Sequence, residues 1–352
     1  MSDIKTLDQL KNLLYIAMQL EHATLPPYLT ALYSINFGTN PDATEILRVV
    51  AVEEMLHLTL AANVLNAVGG TPDPTREGFV PHYPTPLPSG EKDFDVPLLP
   101  FGKDALDVFL KIERGAMETN PALRHVRKAA PVPGALALVH PEDPELHYWS
   151  IGEFYRAIEE GIDFLEGEAK EKGKTIFTDD PAQRMKQVTS EYYYSGGGKI
   201  IPVYDLKSAK AAIDLIIEQG EGEDRGRYTK GGELAHLYRY QQLQKGQYFL
   251  PDDKGEPTGP KFTVDWTAVQ PVTPNLKLAQ LPKGSELRKR AEDFNLQYSG
   301  FLSLLKLAYN GKPNLLLEAV PMMFNFRNSI VELIRNPIPG LATNAGPTFE
   351  MP

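Results

Sequence analysis

Apolar residues recur at intervals of three and four positions along most of the chain, which is the spacing of one face of an α-helix. The pattern predicts long helices over residues 6–36 and 43–68, and Gly69-Gly70 ends the second, since glycine readily adopts the conformation that terminates helices. Further helices are predicted over residues 103–113, 143–168, 205–219, 232–246, 285–309 and 314–335. The chain is therefore expected to be all-α.

Two stretches lack this periodicity and are expected to form long loops between helices, at about residues 70–142 and 169–205. Eight prolines between residues 71 and 102 favour an extended path over a helix in the first of them. A chain of 352 residues can bury roughly three quarters of its unfolded surface, enough for one large domain. We expect a helical bundle over residues 1–246 and a C-terminal extension, 247–352, packed on it in the same structural domain.

Two Glu-x-x-His pairs lie within predicted helices, Glu54-x-x-His57 and Glu233-x-x-His236. Residues three apart on a helix point to neighbouring directions, so a carboxylate and an imidazole can bind one metal ion. Each pair follows a further glutamate on an earlier helix, Glu21 and Glu153 respectively. This order, a glutamate and then Glu-x-x-His, twice, is typical of ferritin-like four-helix bundles with two metal ions.

Some of these positions have competitors. Glu53 lies four residues before His57 and has apolar neighbours of its own, so it is an alternative ligand in the first pair. Ser150-x-x-Glu153 also matches a capping box, in which Glu153 would only close the start of a helix. Glu160 lies on the same face and is then the reserve ligand.

Charge supports the prediction of two ions. Glutamates 21, 54, 153 and 233 would place four negative charges in a bundle core, which is prohibitive unless cations neutralise them. Two divalent ions with two neutral histidines balance this charge, and a carboxylate-rich set suits iron or manganese better than structural zinc. We favour iron, with manganese as the alternative. Such a pair of ions can react with dioxygen or peroxide.

Composition limits the classes of binding partner that are expected for this chain. The net charge of −10 argues against binding to nucleic acid or to an anionic membrane. The chain has no cysteine, no secretory signal at its N-terminus and no apolar run of about 20 residues, so a cytoplasmic protein without disulfides is expected. A small-molecule substrate is the expected partner, and a homo-oligomer remains open.

Four segments resemble a known family. Residues 20–34, 53–57 and 151–155, together with Gln219-Gly220-Glu221-Gly222, are similar to the ferritin-like family that includes the iminophenyl-pyruvate dimer synthase domain. The resemblance covers residues 6–246 and implies a non-haem di-metal site formed by Glu21, Glu54, His57, Glu153, Glu233 and His236. The segment around Glu221 is a hallmark of the family, so the resemblance makes Glu221 a rival to Glu233 as the last carboxylate ligand.

The family is associated with oxidative coupling of amino-acid-derived imines in bisindole pigment pathways such as that of violacein, although those enzymes are much longer chains. We therefore expect a non-haem di-metal oxidoreductase, with iron preferred, that uses dioxygen or peroxide on a small organic substrate such as an amine or imine. The same ligands are compatible with a peroxide scavenger similar to manganese catalase. They are also compatible with a ferritin-like protein that binds metal without turnover.

Overall fold

The computed structural model describes residues 4–88, 94–114, 127–128, 147–148, 150–193, 197–222 and 226–352. The described residues are mainly helical, which confirms the predicted all-α fold class. The helices are α1 (Leu7–Ser34), α2 (Pro41–Ala67), α3 (Lys103–Ile112), α4 (Ile151–Glu171), α5 (Pro181–Arg184), α6 (Leu206–Glu221), α7 (His236–Lys245), α8 (Glu286–Tyr309) and α9 (Leu316–Ile334). One antiparallel pair of two-residue strands is described, β1 (Arg127–Lys128) and β2 (His147–Tyr148).

Helices α1 and α2 form the middle of the molecule. A turn of only six residues, 35–40, joins them, so they run antiparallel as direct neighbours. Every residue of α1 from Leu13 to Ser34 is buried, as is every residue of α2 from Val50 to Ala67. Helices that are apolar on all sides need neighbours on all sides. Helices α4 and α6 pack against each other and against this pair, and complete a four-helix bundle.

Two prolines lie inside α1, a position where proline often interrupts a helix. The helix is not interrupted and continues through Pro26 and Pro27 to its end. Proline has no N–H group, so Pro27 leaves the Ala23 carbonyl without its helical donor. The Tyr83 hydroxyl, from the loop after α2, donates to this carbonyl at 2.8 Å. A side chain from outside the bundle thus replaces the missing backbone hydrogen bond.

Two predicted helix starts are wrong. The third long helix was expected from about residue 143, which lies outside the described residues, but α4 begins only at Ile151 with Ser150 as its N-cap. The helix expected from Gly232 begins at His236, because residues 229–235 form a turn held by backbone hydrogen bonds. The second correction changes the composition of the candidate site.

The C-terminal helices α8 and α9 pack on the bundle. The Thr59 and Tyr309 hydroxyls lie 3.0 Å apart, and the Asn66 side chain donates to the Tyr309 carbonyl at 2.8 Å. One cluster of buried side chains includes residues of both the bundle and these helices. The division of the chain at residue 246 stays a prediction. Within the described ranges, no helix has the length and apolar character needed to cross a membrane.

Candidate metal centre

Helices α1 and α2 bring the first three predicted ligands together. Glu21 lies on α1, and Glu54 and His57 lie one turn apart on α2. All three are buried, and one ligand atom from each lies within 4.8 Å of the others. The His57 Nδ1 atom is 3.4 Å from the Glu21 Oε2 atom. The first half of the predicted site therefore forms a compact group of carboxylate and imidazole atoms.

A second group lies beside the first and shares one residue with it. Glu54, Glu113 and His236 also place one ligand atom each within 4.8 Å of one another, and all are buried. The His236 Nδ1 atom lies 3.0 Å from Glu54 Oε1 and 3.5 Å from Glu113 Oε2. The His57 and His236 rings stack with centroids 5.4 Å apart. Glu54 therefore lies between two groups, where it can bridge two ions.

Both imidazole rings are held in the orientation that metal binding requires. His57 Nε2 lies 2.9 Å from Gln219 Oε1, and His236 Nε2 lies 2.7 Å from Glu53 Oε2. An oxygen acceptor at Nε2 keeps the proton there and leaves the lone pair on Nδ1. The Gln219 amide is itself oriented, because its nitrogen donates to the Gly197 carbonyl. Both Nδ1 atoms thus face the carboxylates, and His236 Nδ1 is fully buried.

Each carboxylate of the two groups is fixed through one of its oxygens. Tyr155 donates to Glu21 Oε1 at 2.5 Å, and Thr24 donates to Glu54 Oε2 at 2.9 Å. Tyr28 donates in the same way to Glu113 Oε1 at 2.5 Å. The second oxygen of each carboxylate then faces a histidine Nδ1 atom. Three hydroxyl groups therefore hold three carboxylates with one oxygen available for a cation.

The electrostatics of the centre show a demand for positive charge. Burial is the main cause that raises the pKa of Glu54 to about 8, and Glu113 and Glu21 raise it further against the opposing effect of His236. Burial alone would lower the pKa of His236, but Glu113, Glu53 and Glu54 outweigh it and hold this pKa well above its usual value. Divalent cations satisfy the same demand, so the residues present fit a metal centre.

Glu221, the rival to Glu233 as the last carboxylate ligand, is buried at the edge of the same small cavity, whose volume is about 20 Å³. It ends α6, and its Oε1 atom accepts a hydrogen bond from the Gly152 N–H group at the start of α4, at 2.9 Å. Arg156 lies 3.8 Å from its Oε2 atom. A Cβ atom on Gly152 would come within 2.5 Å of this carboxylate, so a larger residue at position 152 would force the carboxylate to move. Glu221 is thus a fourth carboxylate beside the two groups.

Three predicted positions are not brought to the centre. Glu233 is exposed, and it lies in the turn before α7, so the helical Glu233-x-x-His236 pair does not form. Glu160 is exposed on α4. Glu153 is half-buried in the first turn of α4, where its N–H group donates to Ser150 Oγ at 3.1 Å. Ser150 therefore caps α4, which is one half of the predicted capping box.

Two residues that adjoin the ligands in sequence, Glu53 and His22, belong to neither acid–histidine group. Glu53, the alternative to Glu54, orients His236 and lies 3.5 Å from Arg239. His22, beside Glu21, points away and makes a 2.5 Å hydrogen bond with Tyr298 of α8.

Glu113 was not predicted, because it belongs to no Glu-x-x-His pair. It directly follows α3 and lies four residues after Phe109, on the helix face that also buries Leu106. The sequence signal that could have identified Glu113 is its position, as an acidic residue, on the apolar face of a predicted helix.

Comparisons with known proteins agree with this fold. A family model described as Ferritin-like matches residues 14–245. The chain is 26% identical over 339 residues to dichlorochromopyrrolate synthase of Lentzea aerocolonigenes, covering 86% of this chain and 29% of that protein. A crystal structure of a ferritin-like protein from Caulobacter vibrioides superposes with a TM-score of 0.62 at 19% identity and covers 99% of this chain and 100% of the other.

The chain therefore spans less than a third of the length of the curated relative that it matches. The crystal structure supports the fold alone. The family match extends over most of the bundle and includes all the residues of both acid–histidine groups. The resemblance seen in the sequence is confirmed, and this chain belongs to the ferritin-like family.

Proposed function

We propose that this chain binds two divalent metal ions and uses them to oxidise a small organic molecule with dioxygen or peroxide. One ion would be held by Glu21, Glu54 and His57, and the other by Glu54, Glu113 and His236. The observation that carries the proposal is that two buried acid–histidine groups share Glu54 and that both present an oriented Nδ1 atom.

The charge balance supports two ions rather than one. The carboxylates of Glu21, Glu54, Glu113 and Glu221 contribute four negative charges around one small cavity. Arg156 offsets part of the charge of Glu221, and two divalent cations neutralise the remainder. Oxygen and imidazole ligands in this ratio suit iron and manganese. We favour iron. When bound, these ions would supply the redox chemistry with dioxygen or peroxide, which the side chains of this chain do not provide.

The protein's own part is to orient, exclude water and hold protons. The Tyr155 and Tyr28 hydroxyls donate hydrogen bonds to Glu21 and Glu113. The other oxygen of each carboxylate is thereby held in place for an ion. Ile216 and Ile217 line the cavity and limit its contact with water. Its volume is that of about one water molecule. An organic substrate therefore reaches the ions only when an edge side chain such as Glu221 moves.

The nature of the substrate is the least constrained part of the proposal. The relative's name, dichlorochromopyrrolate synthase, and the resemblance seen in the sequence both favour an amine- or imine-bearing molecule. Because the chain spans 29% of that relative, the proposal extends to the class of substrate and not to the coupling reaction itself.

The test is metal analysis followed by reaction with oxygen. The purified chain, loaded anaerobically with ferrous iron and freed of excess metal, is expected to retain about two ions per chain and then to take up dioxygen. Glu54→Gln should lose both ions, since Glu54 belongs to both groups, whereas Glu233→Gln should keep them. Circular dichroism checks that each variant is folded. A folded wild-type chain that retains no iron would refute the proposal.

A second function is favoured by the closed surroundings of the centre. Peroxide can approach ions held in a cavity of about 20 Å³ more readily than an organic substrate can, which suits a peroxide scavenger similar to manganese catalase. The manganese-loaded chain would then release oxygen rapidly from hydrogen peroxide, while the iron-loaded chain would show no uptake of dioxygen with amines. Two bound ions with neither reaction would indicate a ferritin-like protein that binds metal without turnover.

A further inference from the structure

A large groove lies on the bundle, remote from the candidate metal centre. It runs between the end of α1, the turn of residues 35–40, the start of α2 and the second half of α9. Its volume is about 870 Å³, within the range of small-molecule sites. Leu32, on its wall, is three helical turns beyond Glu21 on α1, about 16 Å along the axis. The groove is thus separate from the site described above.

The groove has an aromatic wall. Tyr33, Phe37 and Phe324 line it, together with aliphatic side chains of α1 and α9. Phe37, at the tip of the turn, is 82% exposed, which is unusual for a large apolar side chain. Its only described ring contact is the Arg327 guanidinium, 5.4 Å from the ring centroid. An exposed ring beside a cation offers a stacking surface for a flat ligand.

The groove is also positively charged, although the whole chain has a net charge of −10. Arg48 is neutralised by Glu45, which accepts two hydrogen bonds from it at 3.0 and 2.7 Å. Arg327 and Arg335 also line the groove, and neither makes an ion pair with an acidic residue in the part of the chain that the structure describes. Two guanidinium groups without counter-ions in an otherwise acidic protein point to an anionic ligand.

A third donor lies beside these two. The Tyr33 hydroxyl is buried and has no hydrogen-bond partner among the described residues. Burial raises the pKa of Tyr33, and the positive charge of Arg327 opposes this effect, so the two groups are close enough to interact. A buried hydroxyl without an acceptor is costly, and a carboxylate beside Arg327 would accept its proton.

We propose that this groove binds an aromatic carboxylate, with its ring against Phe37 and Phe324 and its carboxylate between Arg327, Arg335 and the Tyr33 hydroxyl. This site is independent of the proposed oxidation at the metal centre. The volume, the stacking surface and the uncompensated arginines select a flat anion over a neutral or cationic molecule. The competing occupant of such a face is a second copy of this chain, which the test below separates.

Isothermal titration calorimetry with 2-naphthoate tests the site, and the neutral 2-naphthamide serves as the matched ligand. Saturable binding of one naphthoate per chain is expected, with the amide at least about tenfold weaker, since it cannot pair with a guanidinium. Arg327→Gln should weaken naphthoate binding by about tenfold or more, and Tyr33→Phe by several-fold. Arg184→Gln, a change at an exposed arginine of α5, should leave it unchanged. The metal content of all three variants should equal that of the wild type.

Three results would overturn the proposal: no saturable heat, equal affinity for the acid and the amide, or unchanged binding in Arg327→Gln. Sedimentation velocity tests the competing occupant of the groove, a second copy of this chain. A dimer that dissociates in Phe37→Ser, and that naphthoate does not disturb, would make the groove an interface between two copies and would also overturn the proposal.

Discussion

The two histidines of the metal centre present the same ring nitrogen to the carboxylates, but different neighbours hold them. His57 Nε2 is bound to the neutral amide of Gln219. His236 Nε2 is bound to the carboxylate of Glu53, which Arg239 approaches at 3.5 Å. The half that contains His236 therefore has a carboxylate next to its imidazole, and the half that contains His57 has a neutral amide at that place.

This difference indicates that the two metal positions are not equivalent. A carboxylate at the remote nitrogen of a histidine makes the imidazole a stronger metal ligand than a neutral acceptor does. We expect the ion beside His236 to be held more tightly than the ion beside His57. The ion beside His57 would then be the one that exchanges more readily.

Removal of a carboxylate from one half should have the largest effect. Glu113→Gln is expected to lose the ion beside His236, and Glu21→Gln the ion beside His57, because each carboxylate belongs to only one group. Metal analysis after gel filtration should therefore give about one ion per chain for each variant. Glu160→Gln, on the exposed side of α4, should retain both. If Glu113→Gln or Glu21→Gln retained both ions, the assignment of one carboxylate to each metal position would be contradicted.

Replacement of the neighbour of a histidine should have a smaller effect. In the Glu21→Gln background, only the metal position beside His236 is expected to be occupied. There, Glu53→Gln should weaken metal binding by about 10- to 100-fold. In the Glu113→Gln background, only the metal position beside His57 is expected to be occupied, and the same change should not alter metal affinity. Titration against a fluorescent chelator measures both affinities. Equal losses in the two backgrounds would show that Glu53 does not act through His236.

The smallest effect is expected on the stability of the ion-free protein. Burial, as the main cause, raises the pKa of Glu54 from 4.5 to about 8, so the folded chain holds a proton that the unfolded chain releases. The stabilisation is fully present below about pH 4.5 and is lost as the pH rises towards 8. The raised pKa of His236 acts in the same direction. Calorimetry between pH 5 and 8.5 should show a melting temperature that falls more steeply for the ion-free wild type than for Glu54→Gln. Parallel slopes would contradict the raised pKa of Glu54.

The part of the site that sequence could predict is the part built on continuous helices. Glu21, Glu54 and His57 were found because α1 and α2 are long, regular and buried, so that spacing along the chain translates directly into position. The pairing of Glu233 with His236 was wrong because spacing has this meaning only inside a helix, and α7 begins at His236.

The remainder depends on contacts between segments that are far apart in sequence. Glu113 reaches the centre because α3 packs against α7, which no local pattern encodes. The helical fold class could be predicted, since periodicity is a local property. The groove between α9 and the turn after α1 could not, because its walls are more than 280 residues apart in the chain.

The proline pair in α1 has a consequence for how the sequence can vary. Tyr83 belongs to the long loop after α2, and its hydroxyl donates to the carbonyl of Ala23, which lacks its helical donor because of Pro27. A relative with a shorter loop and the same prolines would leave that carbonyl buried and unpaired, at a cost of about 1–3 kcal/mol. The loop and the prolines are therefore expected to be gained or lost together.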